Sequence, residues 1–221
     1  MKKNILLITA VVIAATASAQ SNMYYGFQAG VSSADMRGNA LESLDDLVDV
    51  AGDYVSTGSR TGFFTGAYIG IPLAKGFAIE PGLNYSQKGY QLKGALNVKG
   101  IDVLGINAKA QLQLNYLELP VLLKAHIGGL QLYAGPQISY LVNSNLKVSA
   151  GALGVNFLSY KIPVTSQFNH WDAAVTGGIG YQFNNGLNLK ASYDHGLSKI
   201  DAGKNVDAYN RMMKVGIGLT F

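Results

Sequence analysis

Met213-Lys214-Val215-Gly216-Ile217-Gly218-Leu219-Thr220-Phe221 ends the chain. Its odd positions are apolar and its even positions are small or polar, with the exception of none in nine residues. That is the period-2 pattern of a strand with one apolar face. Chain ends usually fray in water, so a strand that carries its apolar row to a terminal aromatic reads as held in apolar surroundings. The expectation is the closing strand of a barrel in a bacterial outer membrane, with the terminal ring in the girdle at the membrane edge. Val215, Ile217, Leu219 and Phe221 then also serve as the C-terminal signal read by the barrel-assembly machinery.

The other end of the chain agrees. Lys2 and Lys3 precede an apolar stretch from Ile5 to Ala15, and Ala17-Ser18-Ala19 has the small-x-small form of an export cleavage site. The stretch is shorter than the roughly 20 residues of a spanning helix. Residues 1–19 therefore read as a signal peptide, and 20–221 as one mature domain beginning at Gln20. With no cysteine, neither a lipoprotein anchor nor a disulfide framework is available.

Composition separates a membrane barrel from a secreted sandwich. The chain is 48% hydrophobic and only 14% charged, yet the mature part has no long apolar run. Glycine accounts for 27 of 221 residues and tyrosine for 13, as suits alternating strands with a lipid face and a crowded interior. Lys2 and Lys3 supply part of the formal net charge of +4. The remaining balance points to neither nucleic acid nor a polyanionic ligand.

Eight segments alternate: Tyr24–Ser32, Gly62–Ile71, Phe77–Tyr90, about Leu112–Ile127, Leu130–Val142, Trp171–Phe183, Leu187–Tyr193 and the terminal run. The connections alternate as well. Pro72–Gly76, Gly128-Gly129 and Asn184-Asn185-Gly186 are hairpin signals. Segments 33–61, 91–111, 144–170 and 194–210 are long. Short turns at one end and long loops at the other describe an all-β, eight-stranded, antiparallel up-and-down transmembrane barrel. The even count puts both termini in the periplasm, and the terminal strand closes the ring against Tyr24–Ser32.

The fourth segment breaks the pattern. Leu112, Leu114 and Tyr116 share one parity, whereas Leu117, Leu119, Val121 and Leu123 share the other. If every apolar row faces lipid, a β-bulge near Tyr116–Leu117 must re-aim the side chains, and Pro120 suits a local irregularity.

Tyr116-Leu117-Glu118-Leu119-Pro120-Val121-Leu122-Leu123-Lys124, followed by Gly135-Pro136, resembles the outer-membrane β-barrel family of Bacteroidetes known as porin-family or PorT-like proteins. The resemblance spans about Tyr24 to Phe221. It implies the barrel fold and the outer membrane and, being to a structural grouping, no particular activity.

The residues opposite the apolar rows include Glu80, Lys88, Glu118, Lys124, Asp172, Lys190, Asp194 and Lys214, four acids and four bases. An eight-stranded barrel is only wide enough for side chains to fill it, and unpaired buried charge is costly. The expectation is a salt-bridged luminal network rather than a selective pore, with inward glycines such as Gly26, Gly30, Gly178 and Gly216 making room for long side chains.

Some small outer-membrane barrels modify lipid A with a Ser or Asp and a His at the outer rim. His170, Asp172, Ser192, Asp194, His195 and Ser198 are the candidates here, and His126 lies near the opposite end. His170 and Asp172 share a parity; Asp194 and His195 point opposite ways. No nucleophile, base and orienting group line up, so a non-enzymatic barrel without cofactor is expected. In the acidic segment 33–61, Leu41, Leu44, Val48 and Ala51 recur at helical spacing. Asp45, Asp46, Asp49 and Asp53 there lack an EF-hand's pattern and glycine, and read as a solvated helix face. Segments 91–111 and 144–170 echo each other in Leu96-x-Val98 and Leu146-x-Val148, and read as hairpins raised above the membrane, which either pair with each other and stiffen the rim or leave a free edge to which a protein partner can add a strand. Only 194–210 looks plainly polar. The functions in view are surface interaction, envelope integrity or support of a secretion or adhesion assembly; a narrow solute or ion channel; and a lipid-modifying enzyme.

Overall fold

The computed structural model describes residues 23–39, 55–96, 106–152, 155–203 and 207–221. The expected signal peptide 1–19, Gln20, and the helix and aspartate cluster expected between Leu41 and Asp53 lie outside the described residues. Among the described residues there are nine strands, all paired antiparallel: β1 (Tyr24–Arg37), β2 (Val55–Ala74), β3 (Phe77–Leu96), β4 (Ile106–Ile127), β5 (Leu130–Ala152), β6 (Val155–Pro163), β7 (Trp171–Gln182), β8 (Leu187–Gly196) and β9 (Tyr209–Thr220). Eight of them close a ring. β5 skips β6 to pair with β7, and β9 pairs with β1 from Gly26↔Thr220 to Arg37↔Tyr209. The sheet has no edge around the ring, which satisfies its backbone groups internally.

The three short turns carry the backbone that glycine permits: Gly76, Gly128 and Gly186 have φ of 81°, 62° and 86°. Both described chain ends lie at this turn end. The Tyr25 and Phe221 backbones exchange hydrogen bonds, and Thr220 N–H donates to the Gly186 carbonyl.

Outward residues form an apolar belt that includes Phe27, Val31, Ile69, Leu83, Leu119, Ile138, Ile179 and Ile217, all exposed. Aromatic pairs rim it. Tyr25 stacks on Phe221 at 5.6 Å and Tyr181 meets Phe183 at 5.0 Å at the turn end. Phe63–Tyr85 and Tyr140–Trp171 mark the other rim. The eight residue steps from Phe77 to Tyr85 put the rims about 20 Å apart for strands tilted by ~40°. An apolar surface this continuous is unstable in water and matches a bilayer core.

Above the second rim the sheet rises further. Val55–Ser59 of β2, Gln91–Leu96 of β3, Ile106–Asn115 of β4, Ser144–Ala152 of β5 and all of β6 pair in sequence as a raised sheet. Residues 91–96, 106–111 and 144–152 thus prolong the barrel strands, and β6 pairs beside them.

β4 corrects the expected bulge. It keeps one parity from Leu112 to Lys124, with Leu114, Tyr116, Glu118, Leu122 and Lys124 all buried and Leu117, Leu119, Val121 and Leu123 exposed. The irregularity lies in its neighbour. Asn115 pairs with Asn143 but Tyr116 with Leu141, so Val142 is the extra residue. Val142 and Asn143 both face out, and Ser144 is inward again. The side chains are re-aimed on β5, above the belt, so no apolar row of β4 needs to switch sides.

Candidate functional site in the barrel interior and rim

The interior is filled in three layers. Nearest the turns, Glu80 from β3 holds Lys124 from β4 in an ion pair and Lys190 from β8 at 3.5 Å. Lys190 also donates to Gln28 Oε1 at 3.1 Å, and Gln28 Nε2 donates to Asn84 Oδ1 at 2.8 Å. Aromatic faces complete this layer: Lys190 sits 3.9 Å from the Tyr68 ring centroid, a contact that strengthens away from water.

The middle layer joins five charges from five strands. Lys88 lies 3.1 Å from Glu118 and 3.2 Å from Asp172. Lys214 lies 2.7 Å from both Glu118 and Asp194. The carboxylates collect neutral donors as well: Ser86 Oγ to Glu118 at 2.8 Å, Thr176 Oγ1 to Asp194 at 2.9 Å and Asn210 Nδ2 to Asp172 at 3.0 Å. Seven of the eight sequence-picked charges are buried and Lys190 is nearly so. Bridging one carboxylate between two ammonium groups from different strands satisfies charge that the low dielectric would otherwise penalise heavily.

Between these layers lies a cavity of about 40 Å³ bordered by Gln28, Glu80, Asn84, Lys190 and Lys214. It has room for a water or so.

The third layer is apolar and was not visible in the sequence reading. Met36, Tyr90, Leu114, Tyr116, Leu141, Ile200 and Ala208 form a buried cluster at the loop end, with Leu92, Leu112 and Phe168 against it. Ile200 and Ala208 come from segment 194–210, which is therefore not plainly polar. Ile200 N–H donates to the Ala208 carbonyl, and its own carbonyl accepts from Asn169 N–H. The inward parity of Glu118 and Lys124 carries the signal for this layer, because it forces Leu114 and Leu112 inward on the same strand.

Arg60 was also missed. It is buried at the loop end of β2 and donates to the Lys88 carbonyl at 2.7 Å and to Gln87 Oε1 at 3.4 Å. The interior glycines give room chiefly to rings. A Cβ on Gly178 would lie 2.5 Å from Tyr133.

The rim candidates for catalysis are dispersed. Asp172 and Asp194 face in and are held by Lys88 and Lys214. His170 packs edge-on to Tyr140 at 5.8 Å, and His195 reaches the Tyr193 hydroxyl at 3.5 Å on the outward face. Ser198 Oγ accepts from Ala173 N–H at 2.9 Å, and Ser192 lies on the inward side of β8. His126 is at the turn end, 3.3 Å from Gln131 Nε2. Among the described residues, no set of three His, Asp or Glu converges as a metal site would require.

Val215, Ile217 and Leu219 of β9 and the terminal Phe221 lie on the exposed belt.

Several solved structures are similar to the chain over most of its length. Ail, the attachment invasion locus protein of Yersinia pestis, is 13% identical over 91% of this chain and 100% of its own, with a TM-score of 0.45. Neisserial surface protein A is 14% identical over 90% of this chain and 98% of its own, at 0.39. OprG from Pseudomonas aeruginosa is 11% identical over 92% and 98%, at 0.38. No curated protein matches the sequence. Residues 18–202, however, match the profile described as outer membrane protein beta-barrel domain. With the eight-stranded ring, its apolar belt and its polar interior, the chain belongs to this outer-membrane β-barrel family.

Proposed function

We propose that this protein is a closed, non-conducting barrel that acts through its loop end in surface interaction, envelope integrity or support of a secretion or adhesion assembly. The observation that carries the reading is the filled interior, in which six ion pairs lie beneath an apolar layer. An ion crossing it would have to part Lys214 from Glu118 and then dehydrate among Leu114, Met36 and Ile200. On this reading the short turns and both termini face the periplasm, residues 1–19 direct export, and the raised sheet stands outside the cell. The Tyr116–Lys124 motif supports placement in the Bacteroidetes PorT-like branch.

Liposome swelling tests the reading. Vesicles carrying the folded protein should swell in small sugars and amino acids no faster than empty vesicles. Swelling that scales with protein content would replace the closed barrel with a narrow channel. Unchanged lipid A after His170→Ala and His195→Ala substitution is expected, and a changed acyl pattern would replace it with an enzyme.

A further inference from the structure

The ring leaves one strand out. β6 pairs with β5 from Asn145↔Pro163 to Ala152↔Val155 and is the last strand in the sheet order, so among the described residues it has a neighbour on one side only. We infer that the free edge of β6 takes up an extended peptide from a partner protein, one that alternates acidic and apolar residues. This rests on the reading of the rim as the acting end, but not on whether the interior conducts.

The ladder shows what the edge offers. Val164 N–H donates to the Ser144 carbonyl at 3.1 Å. Antiparallel pairs alternate from there, so Ile162, Tyr160 and Leu158 turn their backbone groups to β5. Lys161 and Ser159 turn theirs outward, and Pro163 falls where its missing N–H costs no bond. An added strand would thus find two donors and two acceptors in register.

The two faces of β6 define the partner. Leu158 and Tyr160 are each 71% exposed, and Ile162 and Val148 continue their row across Tyr160↔Val148. That row is on the barrel-axis side, continuous through Val148↔Ala110 and Leu146↔Leu112 with the buried apolar layer. It matches apolar residues at alternate positions. On the other face Lys161 stands directly opposite Lys147. Like charges so placed destabilise a sheet, and a carboxylate next to Lys161 on an added strand would relieve them. Lys161 also disfavours pairing with another copy of the same basic edge.

The experiment titrates the full-chain protein, folded in nanodiscs, with a short labelled peptide alternating Val or Ile with Glu, and reads fluorescence anisotropy. The alternating peptide should bind. Ser159→Pro, which removes an edge donor but no β5–β6 bond, should weaken binding at least tenfold. Lys161→Glu should weaken it similarly and confer binding of the lysine counterpart. Protection of Ser159 and Lys161 amides from hydrogen exchange on binding gives a second readout that needs no variant. Three results would overturn the proposal: equal binding of a proline-interrupted peptide of the same charge, no binding at all, or a dimer that Ser159→Pro dissolves and the peptide does not compete with. The last would assign the edge to a second copy.

Discussion

Lys214 Nζ lies 2.7 Å from Glu118 Oε2 in an interior where Glu118 is wholly buried. The same ammonium reaches Asp194, and Glu118 reaches Lys88. The two residues therefore tie β4 to β9 across the barrel, and each holds a second strand through its other contact.

Lys214→Met leaves Asp194 without its cation and Glu118 with Lys88 alone. Breaking one side of a buried pair costs about 3–5 kcal/mol, which urea unfolding in lipid vesicles should show. Adding Glu118→Gln to Lys214→Met should cost less than the two single changes together, because they share one network.

Leu114→Ala opens a hole in the apolar layer rather than in the charged one. Its cost should be about 2–5 kcal/mol by loss of transfer energy and packing, in the same unfolding assay. Swelling should stay at background, since the ion pairs beneath remain.

How much of this was legible in sequence follows from how each residue signals its side. The terminal run and the Glu118–Lys124 alternation both name an inward and an outward row, and the eight-strand ring follows from such rows. Leu112 and Leu114 carry no such label. An apolar residue faces lipid within the belt but faces inward where a strand rises above it, so hydropathy alone put them on the wrong side. Arg60 was hidden by the boundary of β2, which begins at Val55 rather than near Gly62. Ile200 and Ala208 are too few and too widely spaced to set a period, and only the folded loop brings them onto Met36 and Leu141.

The β5 bulge offers a sequence-level check. Deleting Val142 leaves Leu141 inward, Asn143 outward and Ser144 inward, so the strand becomes regular with its faces kept. Deleting Leu132, in the regular part, flips every residue on one side of the cut. The first variant should retain the band shift of a folded barrel between unheated and boiled gel samples; the second should lose it.

Phe221 stacks on Tyr25 at the seam where β9 meets β1. Removing it deletes an aromatic pair worth about 0.5–1.5 kcal/mol beyond its buried area, as well as the end of the proposed assembly signal. The Phe221 deletion should lower the amount of protein in the outer membrane several-fold while refolding in detergent changes little. N-terminal sequencing of the material that arrives should begin at Gln20.

The closed interior is tested most directly by ion conductance across a planar bilayer after insertion of the purified, folded protein. The expected record is baseline current at moderate voltages, with no steady unitary steps. Stable steps of constant size from the unaltered protein, persisting at low voltage, would contradict it.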